Sequence, residues 1–238
     1  MLSGREVLAQ WRKAIDSKKP HASIRIGDGE NVIMAQDQIY PVAYLKEKLH
    51  WTDDPKYCGV TLPNLQARDM LVDAVRKADL IGIQQADGEF IYPLWEKLSA
   101  HYGFHIPDEK TFGAFDNFHL SRDKVFYDTV RDDRILLIGR RAQASKYILE
   151  ERYGFRKIVG AFNCQDWHEL DIARNNMDMF DYDVALIAAG VPSKVLCIHA
   201  KETGRVGVDF GSGAENIVQA HEDGYLAYEW PGWPKGYL

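Results

Sequence analysis

At 238 residues the chain is long enough to bury one sizeable core, and its formal charge of -6, from 29 Lys and Arg against 35 Asp and Glu, offers no general field for a nucleic-acid backbone. No basic run concentrates the positive charge, so nucleic acid is not an expected partner. The three cysteines, Cys58, Cys164 and Cys197, show neither CxxC nor Cys/His ligand spacing, which argues against a disulfide framework or a zinc site and for reduced thiols.

The opening segment, MLSGREVLAQWRKAIDSKK, mixes charge through its apolar positions and lacks the unbroken apolar run of a signal peptide or membrane span, so a cytoplasmic protein is expected. Val7, Leu8, Trp11 and Ile15 recur at helical spacing, predicting a helix near residues 4 to 17 that ends at Lys18 to Pro20. Ala22 to Ile26 is short and β-branched, and Gly27 and Gly29 follow it as a strand-to-helix turn, with a helix opening over Asn31 to Gln36. A helix from Asn64 to Ala78 and a strand from Asp79 to Gln84 come next, then a helix from Tyr92 to Tyr102, a linking region with Pro107 and Gly113, and a helix from Arg122 to Arg131.

The carboxyl half repeats one pattern. Strands are expected at Arg134 to Gly139, Lys157 to Gly160, Asp183 to Ala189 and Val206 to Asp209. Between them fall helices at Ala142 to Tyr153, near Trp167 to Asn176, and from about Ser193. Strand, glycine-containing loop and helix recurring at these lengths predict a single α/β domain over 1–238, Rossmann-like, with a mostly parallel sheet and helices on both faces. Residues 1–19 form its N-terminal helix, and 214–238, rich in aromatics, proline and glycine toward the end, are expected as an irregular tail laid over the domain or against another subunit of a homo-oligomer.

In open parallel sheets ligands bind beyond the carboxyl ends of the strands, where three segments fall: Gly27 to Glu30, Gly139 to Arg141, and Gly190 to Lys194. None is a P-loop or a dinucleotide fingerprint. Asp28 and Glu30, separated by one glycine, provide hard carboxylate oxygens of the kind that hold a divalent cation against phosphate; the plain alternative is a solvated turn whose acid caps a helix.

The context favours the first. Arg25-Ile-Gly-Asp-Gly-Glu30 resembles the Asp-x-Glu motif of the GT-D type glycosyltransferases, often Arg-Phe-Gly-Asp-Gly-Glu. Phe118-His-Leu-Ser-Arg122 is similar to the family's Phe-x-Ser/Thr-Arg segment, Asn163 follows a strand where the family places asparagine, Gly190 to Leu196 is similar to its Gly-Pro-Thr-x-x-Val-Leu loop, and Val208-Asp209-Phe210-Gly211 matches its Asp-x-Gly ending. These segments keep the family's order from about residue 20 to 213.

The resemblance implies a glycosyltransferase that moves a sugar from a nucleoside diphosphate sugar, with UDP the preferred nucleotide, to a hydroxyl of a saccharide or glycoconjugate acceptor. It assigns Mn²⁺ or Mg²⁺ to Asp28 and Glu30, catalytic roles to Asp28, Glu30, Arg122 and Asp209, and nucleotide-sugar contacts to Arg25, Gly27, Gly29, Asn163, Gly190, Ser193 and Lys194. Arg122 would stabilise the leaving diphosphate, since a guanidinium pairs bidentately with phosphate oxygens.

Two positions depart from the family. Ser212 stands where it often has histidine after Asp-x-Gly, and Gly139-Arg140-Arg141-Ala142 replaces its Glu-Gly-x-x-x-Arg segment. They motivate an alternative, a catalytically silent nucleotide-sugar-binding or assembly protein; a metal-dependent phosphoesterase is a third. Secondary candidates are Arg140, Arg141 and Lys146 for phosphate, His168 and Asp116 as bases, and Trp51, Tyr57 and Phe118 as stacking surfaces. A second Asp-Gly-Glu, at 87 to 89, lacks the preceding Arg-x-Gly and reads as a solvated turn.

Overall fold

The computed structural model describes residues 1–84 and 91–232; the second Asp-Gly-Glu lies outside the described residues, as does the end of the tail, 233–238. Ser3 and Glu6 start the first helix, α1 (Gly4–Asp16), as a capping box: Glu6 N–H donates to Ser3 Oγ, and the Ser3 N–H donates to Glu6 Oε2 at 2.7 Å. Strand β1 (His21–Ile26) runs into α2 (Asp28–Ala35), followed by α3 (Val42–Lys48), the single turn α4 (Pro55–Cys58), α5 (Leu65–Lys77) and β2 (Leu80–Ile83). Then come α6 (Ile91–Tyr102), β3 (Thr111–Gly113), α7 (Asp116–Leu120), α8 (Lys124–Val130), β4 (Ile135–Gly139), α9 (Ala142–Tyr153) and β5 (Ile158–Phe162). The last elements are α10 (Leu170–Asp178), β6 (Val184–Ala188), α11 (Pro192–Glu202), β7 (Val206–Asp209) and α12 (Gly213–Glu222).

The strands form one seven-stranded sheet in the order β3-β2-β1-β7-β6-β4-β5, with each neighbouring pair parallel. Period-two alternation divides its side chains between two cores. Ala22, Ile24 and Ile26 of β1, with Leu136, Ile138, Ala185 and Ile187, pack under α2, α5, α6, α10 and α11. Leu137, Leu186, Val206 and Val208 pack on the other face under α1, α8, α9 and α12. The parallel, doubly covered sheet expected from the sequence is the architecture found.

Three local expectations are corrected. The linking region with Gly113 contains the short edge strand β3, anchored by Leu2 N–H donating to Thr111 O at 2.7 Å. The helix expected from Arg122 begins at Lys124, because Asp123 caps it by accepting the Val125 N–H. Residues 214–222, placed in the irregular tail, belong to α12, whose buried Ile217 and Val218 complete the second core. Beyond it Trp230 is buried, its indole N–H donating to Asp223 Oδ2 at 2.9 Å.

The site follows from this winding. β1 and β7 are neighbours, yet α2 leaves β1 toward one face and α12 leaves β7 toward the other. Their carboxyl ends are thereby held apart, opening a crevice at the edge of the sheet.

Candidate active site

Gly27 caps a helix rather than opening a loop. The helix α2 starts at Asp28, three residues before the apolar pattern placed it, so Asp28 and Glu30 both lie in its first turn, where unpaired N–H groups favour anionic side chains. Two positions apart on a helix, side chains diverge by roughly 200° around the axis. The two carboxylates accordingly meet different partners.

Asp28 is half-buried at the cavity wall. Its Oδ1 accepts the Gly29 N–H at 2.8 Å and its Oδ2 accepts the Tyr57 hydroxyl. Tyr57 stacks on Trp51 with ring centroids 4.5 Å apart, and burial followed by the bond to Asp28 raises its pKa, which keeps the hydroxyl a donor.

Glu30 points inward. Its Oε2 accepts the Gly27 N–H at 2.9 Å, and its Oε1 lies 2.6 Å from the Lys194 ammonium. Lys194 Nζ also lies 2.9 Å from Asp209 Oδ2 and donates to Gly190 O at 3.2 Å. On the far side Arg25 clamps Asp209: Nη2 donates to Oδ1 at 3.1 Å and Nε to the backbone carbonyl at 3.1 Å. The Arg25 Nη1 donates to Ala114 O and Asn117 Oδ1, each at 2.9 Å, and Asn117 Nδ2 donates in turn to Phe210 O and Ser212 Oγ.

Two cations and two carboxylates thus form a neutral buried network across β1, α2, α11 and β7. Burial alone would push the Lys194 pKa down, but Asp209 and then Glu30 outweigh it and hold the ammonium above its ordinary value. Burial would likewise raise Asp209, and Arg25 and then Lys194 reverse that, so its carboxyl lies below the usual range.

A cavity of about 440 Å³ opens at the carboxyl ends of β1, β4, β6 and β7. Arg25, Gly27, Asp28, Gly29, Glu30, Gly190 and Lys194 line it, as do Arg140, Arg141, Tyr57 and Phe118. Asp209 lies beneath this lining and reaches the cavity only through Arg25 and Lys194. Ser193 is buried at the turn into α11, its Oγ accepting the Ala189 N–H at 2.8 Å.

Two expected residues lie elsewhere. Arg122 donates to the carbonyls of Trp230 and Gly232 and lies over the Trp230 ring, tying down the carboxyl-terminal segment. Asn163 is exposed beyond β5, outside the cavity lining. Asp116, Lys146 and His168 are also outside it: Asp116 accepts the Gly113 N–H, Lys146 pairs with Glu150, and the His168 N–H donates to Asp166.

Sequence spacing gave no sign of Phe115, Cys58, Cys164, Gln165 or Glu215, which join the lining from separate loops and helix ends. Glu215 accepts a bidentate pair of hydrogen bonds from Arg141, each 2.9 Å. Burial pushes both cysteine thiols up to about 12, so neither is a thiolate near neutral pH. Cys58 instead explains a glycine, since a Cβ on Gly29 would fall 2.9 Å from its own Cβ.

Gly190 is fixed for a second reason. Its φ of +65° is left-handed, and an added Cβ would lie 2.4 Å from the Cys58 carbonyl oxygen, which accepts the Val191 N–H at 2.8 Å. Gly190→Ala is expected to cost about 1–3 kcal/mol in a thermal or urea unfolding measurement, and to narrow the cavity by displacing Cys58.

The donor set does not fit a cation shared by Asp28 and Glu30. Both Glu30 oxygens are engaged, one by an ammonium, and among the described residues no group of three His, Cys, Asp or Glu side chains is arranged to hold a metal ion.

The GT-D fold-like domain family model matches residues 2–217. Solved structures of similar shape include a glycosyltransferase (DUF1792) from Streptococcus sanguinis, at 13% identity and a TM-score of 0.58 over 94% of this chain and 85% of that one. Another is the domain of unknown function 1792 described as having a distinct glycosyltransferase fold, at 14% identity and a TM-score of 0.55 over 92% and 81% of the respective chains. A selenomethionine form of a DUF1792 domain gives 14% identity and a TM-score of 0.54 over the same shares. No curated protein gave a significant match. The family model spans the whole ordered series of motifs, from the helix before β1 to α12, and the chain belongs to the GT-D-like family.

Proposed function

We propose that the chain transfers a sugar from a nucleoside diphosphate sugar, with UDP the preferred nucleotide, to a hydroxyl of a saccharide or glycoconjugate acceptor. The observation that carries this reading is the convergence of helix N-termini on one cavity. The starts of α2, α9, α11 and α12 all border it, and those of α9 and α11 carry no acidic residue in their first turns. The opening N–H groups of α9, with Arg140 and Arg141 beside them, form an anion-binding wall suited to a diphosphate, whereas at α11 the Val191, Ser193 and Lys194 N–H groups already donate to backbone carbonyls.

Glu215, in the first turn of α12, is paired with Arg141 of that wall, and Asp28, in the first turn of α2, lines the same cavity, where its oxygens can accept hydrogen bonds from sugar hydroxyls. In the reaction the bond between the anomeric carbon and the phosphate oxygen breaks, the diphosphate keeps the electron pair, and the acceptor oxygen forms the new glycosidic bond. The N-terminus of α9 and the arginines beside it stabilise the charge that builds on the leaving diphosphate. Asp28, whose carboxylate is oriented by Tyr57 and the Gly29 N–H, takes the acceptor proton.

The direct test is a panel of nucleotide sugars followed by thermal shift, since a ligand that binds only the folded state raises the melting temperature by mass action. A donor that stabilises the chain is then assayed for release of the nucleoside diphosphate. Asp28→Asn is expected to lower turnover by about 10²-fold or more while the donor-induced shift persists. Stabilisation without release across acceptors would favour the silent binder, a reading kept by Ser212, whose hydroxyl is held by Asn117 at the rim. Failure of every nucleotide sugar to bind ends both readings.

A further inference from the structure

We propose that Lys194 is the resident counter-cation of this site: its ammonium fills the place between Glu30 and Asp209 that a divalent ion would need, and a nucleoside diphosphate binds this chain without one. The second half rests on the function proposed above; the first half does not.

Three observations lead here. The first is position. Nζ lies 2.6 Å from Glu30 Oε1 and 2.9 Å from Asp209 Oδ2, so the inner acid of the Asp-x-Glu motif and the acid of the Asp-x-Gly ending converge on one cation, and that cation is covalently attached. The second is confinement. Lys194 sits in the first turn of α11 with its side chain 4% exposed, and its remaining polar contact is the Gly190 carbonyl one turn back. An incoming Mn²⁺ would have to displace an ammonium already held by two carboxylates and a carbonyl, or share the site with it against like-charge repulsion.

The third is charge balance. Arg25 and Lys194 already offset Asp209 and Glu30, so the network presents no net negative charge to recruit a metal ion. Divergence of the two motif acids around α2 leaves Asp28 alone on the outer side, facing Tyr57 rather than Glu30. The positive charge a diphosphate requires is supplied instead by the N-terminus of α9, by the arginines beside it and by Lys194 itself, which lines the cavity.

Calorimetric titration of the full chain with UDP, in EDTA and again in excess Mn²⁺, reads the consequence. Dissociation constants that differ by less than about tenfold support the proposal, and binding seen only with Mn²⁺ overturns it while leaving the proposed function standing. A second arm uses Mn²⁺ alone, followed by the paramagnetic resonance signal of the free ion. The wild-type chain is expected to leave that signal unchanged, whereas Lys194→Met, which vacates the space between Glu30 and Asp209, depletes it, and adding Glu30→Gln restores it. Uptake of Mn²⁺ by the wild-type chain that Glu30→Gln abolishes overturns the assignment of Lys194. Should Lys194→Met fail to fold, the two wild-type measurements still decide. If neither UDP nor any other nucleoside diphosphate binds under either condition, the proposed function and the nucleotide half of this inference fall together; the Mn²⁺ arm still tests Lys194.

Discussion

Lys194→Met is expected to remove about 3–5 kcal/mol of stability, read as a large fall in the urea midpoint at neutral pH. The ammonium makes its three polar contacts with its side chain only 4% exposed, and its loss leaves Glu30 and Asp209 buried with only Arg25 to balance them. The methionine replaces the stem's packing, so the loss reports charge rather than a cavity. Adding Asp209→Asn to Lys194→Met removes one of the stranded charges and is expected to recover part of the loss. If the double variant is less stable than the single one, the network is not held by this pairing.

The network itself is insensitive to pH over the neutral range. Asp209, held below its ordinary value, contributes stability that is complete above the unfolded carboxyl's pKa and is lost only as pH falls through the lower folded value. Lys194, held above its ordinary value, contributes stability that is complete below the unfolded ammonium's pKa and is lost only as pH rises through the higher folded value. An acid transition near pH 5 therefore needs another source.

That source is His21, and the second expected result is a stability loss of about 3 kcal/mol as pH falls from about 6.5 to about 4. His21 is buried at the start of β1, where Trp11 Nε1 donates to Ser23 Oγ at 2.7 Å and Ser23 Oγ lies 2.9 Å from His21 Nε2. Trp11 can only donate, so the Ser23 hydroxyl accepts from it and turns its own hydrogen to an unprotonated His21 nitrogen. Burial, only partly opposed by Asp79 and reinforced by Lys201 and Lys19, lowers the imidazole pKa from 6.5 to about 4. Its Nδ1 lies 3.8 Å from Asp79 Oδ2, and with the ring neutral at pH 7 that contact is not an ion pair.

Between the two values the unfolded chain binds a proton that the folded chain does not, so stability rises with pH across this window and is lost below it. Urea midpoints for the wild type and His21→Gln across the same range check this. The variant is expected to be less stable at pH 7 but flatter in acid; an equal slope in both would place the transition on other groups.

Local pattern carried much of the fold. The apolar period of α1, α5 and α9, and the short β-branched runs at β1, β4, β6 and β7, each set a buried face within a few residues, and burial of those faces is what assembles the two cores. The misplaced elements were obscured for different reasons. Strand β3 is three residues long at the sheet edge, and α12 buries small and polar residues, Gly213, Ala214, Asn216 and Ala220, beside its two large apolar ones.

The site divides in the same way. Which loops meet at the crevice was legible along the chain, because loops at the carboxyl ends of parallel strands must share one edge of the sheet, and Asp28, Glu30, Gly190 and Lys194 stood out among them. What those residues face was set by packing. Starting α2 at Asp28 sends two neighbouring acids in different directions, and pairing β7 with β1 brings Asp209 beside Arg25 from 184 residues away. It also turned Arg122 toward the carbonyls of the carboxyl-terminal segment. Spacing along a chain fixes what side chains are available, but a charge in a low-dielectric interior is governed by its nearest opposite charge, and that neighbour is chosen by the packing of strands and helices.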